Sequence, residues 1–75
     1  MKRIIQIKVF KEGKYYIATG SDVAVTTQGR TWNELMKNIQ EVVELYLEGE
    51  SLEELDMVAD PSILINYELS TSAHA

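Results

Sequence analysis

One amphipathic helix is the strongest structural signal in this chain, and it lies between Thr31 and Gly49. Thr31 is a favoured N-cap residue, and Glu34 stands three positions later, as a capping box requires. Gly49 is a typical residue just beyond a helix C-terminus. Between these signals, apolar residues recur at helical spacing on one face, namely Trp32, Leu35, Met36, Ile39, Val42, Val43, Tyr46 and Leu47. The pattern predicts a helix over residues 32–48 whose apolar stripe faces a core, with Leu45 outside the stripe.

Alternating apolar and polar residues predict four strands around this helix. Three of them precede the helix, over residues 3–11, 15–19 and 23–27, and the fourth follows it over residues 62–69. Short turns join the first three strands, which predicts an antiparallel meander. The element order is therefore βββαβ, and a fourth strand beside the first would run parallel to it through a right-handed crossover. We expect an α+β fold with the single helix packed on one face of the sheet.

The strand alternation also assigns side chains to the two faces of the sheet. The face that we expect to be buried carries Ile5, Ile7, Val9, Val23, Val25, Ile63, Ile65, Tyr67 and Leu69. The other face carries Ile4, Phe10, Tyr16 and Leu64 among polar residues. We expect this second face either to mediate self-association or to be an ordinary exposed face of an antiparallel sheet.

A chain of 75 residues is long enough for one small domain, which we expect to cover residues 1–70, with a disordered tail over 71–75. Small domains have a thin stability margin, which favours a homo-oligomer, either a dimer or a tetramer. A second capping box at Ser51-Leu52-Glu53-Glu54 predicts a helix of at most two turns before Asp60-Pro61. The chain has no cysteine, no apolar run of transmembrane length and no signal-peptide pattern, so we expect a cytoplasmic protein.

The formal net charge of −5 is distributed unevenly along the chain. Residues 1–37 hold all seven basic residues and three acidic ones, whereas residues 38–75 hold nine acidic residues and no Lys or Arg. An acidic half favours a basic protein partner over nucleic acid or a membrane, and the alternative is that it only keeps the protein in solution. The candidate partner contacts are Glu41, Glu44, Glu48, Glu50, Glu53, Glu54, Asp56 and Asp60.

The residue patterns of catalytic and metal sites are missing from the sequence. His74 is the single histidine and stands next to the last residue, away from any partner for nucleophilic catalysis or zinc binding. Strand one offers Gln6 and Lys8 where two-metal phosphoryl chemistry would need carboxylates. The acidic cluster after the helix lacks the spacing and the Gly of a calcium loop. We therefore expect no catalytic residue, no metal and no cofactor, and a protein that is not an enzyme.

The segment YYIATGSDVAVTTQGRTWNELMKNIQEVVELYLEGE resembles the N-terminal domain of HicB-like antitoxins. The counterparts of the family pattern are the strand Tyr15-Tyr16-Ile17-Ala18, the loop residue Asp22, the turn Thr27-Gln28-Gly29-Arg30-Thr31 and the helix end Leu45-Tyr46-Leu47-Glu48. The resemblance covers roughly residues 3–50. It implies a partial ribonuclease-H-like sheet that lacks the nuclease carboxylates.

Three features depart from the family pattern. The loop reads Gly20-Ser21-Asp22-Val23-Ala24 where the family usually has a Pro-rich loop, and Leu35 stands where the family helix usually has Ala. Many family members continue into a helix-turn-helix or ribbon-helix-helix DNA-binding segment, whereas this sequence stops at Ala75, so we expect a short form that does not bind an operator by itself. The resemblance implies a non-catalytic protein that binds and occludes a small basic ribonuclease toxin of the HicA type. The alternative is a stand-alone oligomeric binding module with no toxin partner.

Overall fold

A computed structural model describes residues 2–48 and 57–69 of the chain. In chain order, its elements are β1 (Lys2–Glu12), β2 (Tyr15–Gly20), β3 (Thr26–Gly29), α1 (Trp32–Glu48) and β4 (Met57–Tyr67). The helix has the predicted bounds. The predicted residues Gly49 and Ser51–Glu54 and the predicted tail over 71–75 lie outside the described residues.

The described strands form one mixed sheet in the order β3-β2-β1-β4. β1 and β2 are antiparallel, with Val9 opposite Ala18, and β2 and β3 are antiparallel in turn. β4 runs parallel to β1, with Ile65 opposite Ile7. The α+β class, the meander and the parallel fourth strand are thereby confirmed. The connection from α1 to β4 passes through residues 49–56, outside the described residues, so the hand of the crossover stays a prediction.

The core lies between α1 and one face of the sheet. Its buried apolar side chains are Ile5, Ile7, Val9, Ala18, Val23, Val25, Leu35, Ile39 and Val43. The sheet residues among them follow the alternation of β1, and the helix residues follow the predicted stripe. Burial of this apolar surface is the main stabilising term of so small a domain.

The third strand was predicted over residues 23–27, which is wrong, because β3 begins at Thr26. Val23 and Val25 are buried, as their spacing predicts, but they lie in a loop that bonds to itself rather than in the sheet ladder. The Val25 N–H donates to the Val23 carbonyl at 3.0 Å, and the Gly20 N–H donates to the Val25 carbonyl at 2.9 Å. These two hydrogen bonds pair backbone N–H and C=O groups within the loop itself. The loop can therefore bury its valines without joining the sheet ladder.

The N-terminus of α1 has the predicted cap with one shift in partner. The Glu34 N–H donates to Thr31 Oγ1 at 3.1 Å, while Glu34 Oε1 accepts from the N–H of Arg30 at 2.8 Å rather than from that of Thr31. Gly29 lies directly beneath this turn, where a Cβ atom would stand 2.7 Å from the backbone nitrogen of Leu35. The Gly-x-Thr spacing therefore allows the strand to approach the helix start closely.

Replacing Thr31 by Ala should lower the free energy of unfolding by about 1 kcal/mol, because the Glu34 N–H loses its side-chain acceptor. Urea unfolding followed by circular dichroism measures this loss. The exposed Asn33 on the same turn is the control, and Asn33→Ala should change the stability by less than about 0.5 kcal/mol. Equal effects of the two substitutions would show that the cap contributes nothing.

The fourth strand was predicted to begin at residue 62, but β4 begins at Met57 and contains Pro61. The pairing with β1 is irregular there, since Lys2 is opposite Met57 whereas Ile4 is already opposite Ser62. A proline is tolerated because β4 lies at the edge of the described sheet. The strand ends at Tyr67, and Leu69, predicted to be buried, is 73% exposed.

Tyr16 was predicted on the face away from the helix, and this is wrong. It is opposite Lys11, two residues beyond the pair of Val9 and Ala18, so it shares their face. Its ring contacts Trp32 edge-on at a centroid distance of 5.7 Å. The side turned away from α1, here called the open face, carries Ile17 instead, together with the predicted Ile4, Phe10 and Leu64.

Candidate functional site

The helix covers the strands of the described sheet unequally. It packs mainly over β3 and β2, the two strands at one edge of the described sheet, and lies farther from β4 at the other edge. Consequently Ile63 and Ile65 of β4 are only half-buried, whereas Ile5 and Ile7, their neighbours on β1, are buried. An uncovered strip of apolar surface is left between the helix and β4.

Two adjoining depressions follow this strip, and we call them together the α1/β4 groove. The larger depression, of about 560 Å³, is lined by Gln40, Val43, Glu44, Leu47, Glu48, Pro61 and Ile63. The smaller one, of about 150 Å³, is lined by Met36, Ile39, Gln40, Ile63 and Ile65. They share Gln40 and Ile63, which makes one cleft with an apolar floor and walls from two elements. The combined size suits several side chains of a partner.

Two carboxylates form the outer rim of the groove. Glu44 and Glu48 are exposed and stand four residues apart on α1, which places them one above the other on one side of the helix. Gln40 continues the same row one turn earlier. No Lys or Arg follows Lys37 in the sequence. The part of α1 that forms the rim after this residue therefore contributes only negative charge.

The structure brings only part of the predicted acidic set to this groove. Glu44 and Glu48 line it, whereas Glu41 is exposed on the helix and does not line it. Asp60 belongs to β4. The other four predicted contacts, which are Glu50, Glu53, Glu54 and Asp56, lie outside the described residues.

Sequence reasoning missed the apolar part of the site. Met36 and Leu47 pack against the core, as the helical stripe predicts, but they are only half-buried and also line the groove. Ile63 and Ile65 likewise pack against the core, as their alternation predicts, and leave part of their surface to the groove. The available signal was the width of the stripe, since its eight apolar positions extend well beyond the three helix residues that are buried, which are Leu35, Ile39 and Val43.

An aromatic cluster lies at the end of the sheet near the helix N-terminus. The rings of Tyr16, Trp32 and Tyr67 contact one another edge-on at centroid distances of 5.4 to 6.1 Å. Lys11 Nζ lies 4.8 Å from the centroid of Tyr16. The adjacent depression, of about 550 Å³, is lined by both basic and acidic side chains, namely Lys8, Lys11 and Glu68. Lys8 and Glu68 pair with each other, with Nζ of Lys8 3.9 Å from Oε1 of Glu68. The rings thus contact one another and Lys11, and we interpret the cluster as packing that closes this end of the core rather than as a ligand site.

Within residues 2–48 and 57–69, no group of three or more His, Cys, Asp or Glu side chains is placed to hold a metal ion. In the same part of the chain, every buried side-chain nitrogen or oxygen atom has a hydrogen-bond partner. No helix among these residues is long and apolar enough to cross a membrane. The α1/β4 groove is thus the feature of the described surface that best combines shape, apolar area and a single sign of charge.

The chain has no significant match among protein-family models, curated proteins or solved structures. The resemblance to HicB-like antitoxins therefore depends on the residues of this chain alone.

Proposed function

We propose that this chain is a non-catalytic binding protein that captures a basic protein in the α1/β4 groove. The observation that carries the proposal is the combination of an apolar floor with the carboxylates of Glu44 and Glu48 on its rim. The apolar floor supplies affinity, because a partner side chain bound there shields the half-buried Ile63 and Ile65 from water. The rim supplies orientation and a faster encounter with a positively charged surface.

The chemistry of the groove specifies the kind of segment that fits it. The partner should present apolar side chains to the two depressions and Lys or Arg side chains to Glu44 and Glu48. An amphipathic helix lying between α1 and β4 would do so with anchors three or four residues apart. The single sign of charge on the rim excludes acidic segments by repulsion, which gives specificity as well as attraction.

The partner that we propose is a small basic ribonuclease toxin of the HicA type, which the chain would inhibit by occlusion. The support is the resemblance of the segment from Tyr15 to Glu50, together with the βββαβ order that such a domain requires. The middle of β1 holds Gln6 and Lys8 at the positions that alternate with its buried residues, where two-metal nuclease chemistry would need carboxylates. Blocking a toxin needs only a bound surface and no reaction.

The direct test is to identify the product of the adjacent gene and, where it is a small basic protein of the HicA type, to mix it with the purified chain at low salt. We expect the two to co-elute in size-exclusion chromatography and RNA cleavage by the toxin to stop near equimolar ratio. Raising the salt should weaken the complex, because charges on an exposed rim are screened. Absence of a complex at low salt, with an active toxin present, would contradict the proposed function.

A second candidate function is a stand-alone oligomeric module that binds another ligand. The observation that favours it is the open face, where Ile4 and Leu64 are 48% and 47% exposed and Phe10 and Ile17 are half-buried. A gene neighbourhood without any small basic protein would favour this function over the first.

A further inference from the structure

Among the described strands, β4 lies at an edge of the sheet, and its outward hydrogen-bonding groups can be identified. The Glu68 N–H donates to the Val9 carbonyl of β1 at 3.1 Å. In a parallel ladder, alternate residues bond to the same neighbour, so Leu64 and Asn66 also direct their backbone groups towards β1. The backbone groups of the residues between them, Ile63, Ile65 and Tyr67, consequently point away from the described sheet.

The two edges of the described sheet differ in how they are protected. β3, at one edge, is only four residues long, and Asn38 Nδ2 of α1 donates to the carbonyl of Gln28 at 2.8 Å. Short strands and covering side chains are known ways to prevent edge pairing. β4, at the other edge, has 11 residues, and from Ser62 to Tyr67 its sequence is SILINY, without a charge. Pro61 protects only one end of it.

We infer that β4 pairs antiparallel with the β4 strand of a second copy of this chain, forming a two-fold symmetric sheet across the edge. The sequence of the strand is complementary to itself. Pairing centred on Ile65 places that residue opposite its own copy and Ile63 opposite Tyr67, and no like charges meet within residues 62–67. A β-branched residue opposite an aromatic one is a favourable cross-strand pair.

This pairing has a consequence for the α1/β4 groove. Ile63 and Ile65 lie on the helix-facing side of the sheet, so the floors of the two grooves become continuous across the two-fold axis. Glu44 and Glu48 then stand on both outer sides of a wider concave surface. The dimer does not depend on the proposed toxin, because it follows from the edge alone.

Two matched substitutions test the dimer by sedimentation velocity and light scattering over a range of concentrations. Leu64 and Ile4 are equally exposed on the same face, but Leu64 lies on the edge strand and Ile4 on the interior strand β1. We expect the wild-type chain to be a dimer, Leu64→Lys to raise its dissociation constant about tenfold or more, and Ile4→Lys to leave it nearly unchanged. A wild-type chain that is monomeric at every concentration would overturn the inference. An equal loss in both variants would also overturn it, since that result indicates packing of the open faces.

Amide hydrogen exchange gives a second readout on the unmodified protein. In the dimer, the N–H groups of Ile63, Ile65 and Tyr67 should exchange slowly, and they should exchange quickly in a folded Leu64→Lys monomer. The N–H groups of Leu64 and Asn66 bond to β1 and should stay slow in both states. Fast exchange of all three outward amides in the wild-type dimer would rule out edge pairing through β4.

Discussion

Replacing Leu35 by Ala should lower the free energy of unfolding by about 3 kcal/mol and the melting temperature by at least about 12 °C. Leu35 is 0% exposed and lies in the first turn of α1, directly over Gly29. Truncating the Leu35 side chain leaves a cavity. The backbones of Gly29 and Leu35 are already in close contact, so they cannot move together to fill it. A domain of this length has a total stability of only roughly 4–11 kcal/mol, so a large part of it would be lost. Thermal and urea unfolding followed by circular dichroism measure both quantities.

The matched control is Leu45, which has the same side chain on the same helix and is 66% exposed. Leu45→Ala should change the stability by less than about 0.5 kcal/mol. The difference between the two substitutions measures which face of α1 meets the sheet. Similar losses at both positions would contradict the orientation of the helix, and with it the position of the α1/β4 groove.

Reversing the two rim charges, with Glu44→Lys and Glu48→Lys in one variant, should weaken binding of the proposed basic toxin about 100-fold. Each carboxylate would lose an attractive contact and gain a repulsive one, and roughly 1.4 kcal/mol per position corresponds to that change. Both residues are exposed, so the variant should keep the fold and melt close to the wild-type temperature. Isothermal titration calorimetry at low salt measures the affinity, and the toxin's RNA cleavage reports loss of inhibition.

The control for overall charge is a second double variant, Glu12→Lys with Glu41→Lys. It makes the same change in net charge, but Glu12 lies at the end of β1 and Glu41 does not line the groove. We expect its affinity to fall only slightly, because long-range attraction alone is reduced. If the control loses as much affinity as the rim variant, the carboxylates act through net charge and the groove is not the contact surface.

Local signals in the sequence account for most of the fold. The cap at Thr31 and the period of the apolar residues predict α1 with its bounds, because these interactions are made within a few residues of one another. The alternation of Ile5, Ile7 and Val9 predicts the buried face of β1 for the same reason. The parallel pairing of β1 and β4 follows from the element order and the preference for short, untangled connections.

The errors arise where tertiary contacts decide between local alternatives. The valines at 23 and 25 alternate like a strand, yet their loop bonds to its own backbone and to Gln6, which no periodicity reveals. Tyr16 follows Tyr15 directly, and only the register with β1 determines which of the two rings faces α1. The start of β4 depends on an irregular pairing that passes a proline at the sheet edge.

The sequence predicts a set of acidic contact residues, but it does not predict the shape of the groove that two of them line. The run of acidic residues after Lys37 indicated a basic partner, and Glu44 and Glu48 are the described members that line the groove. The groove itself results from the lateral position of α1 over β2 and β3. That position depends on how side chains such as Val43 and Leu47 pack against the sheet, and composition and spacing do not encode it.

Chemical-shift mapping of the isotope-labelled chain upon addition of the unlabelled HicA-type toxin tests the central claim most directly. We predict that the largest shifts of amide resonances fall on Gln40, Glu44, Leu47 and Ile63, which line the groove. The open-face residues Ile4, Phe10 and Ile17 should change little. Shifts concentrated on that face, or an unchanged spectrum at saturating toxin, would contradict the account.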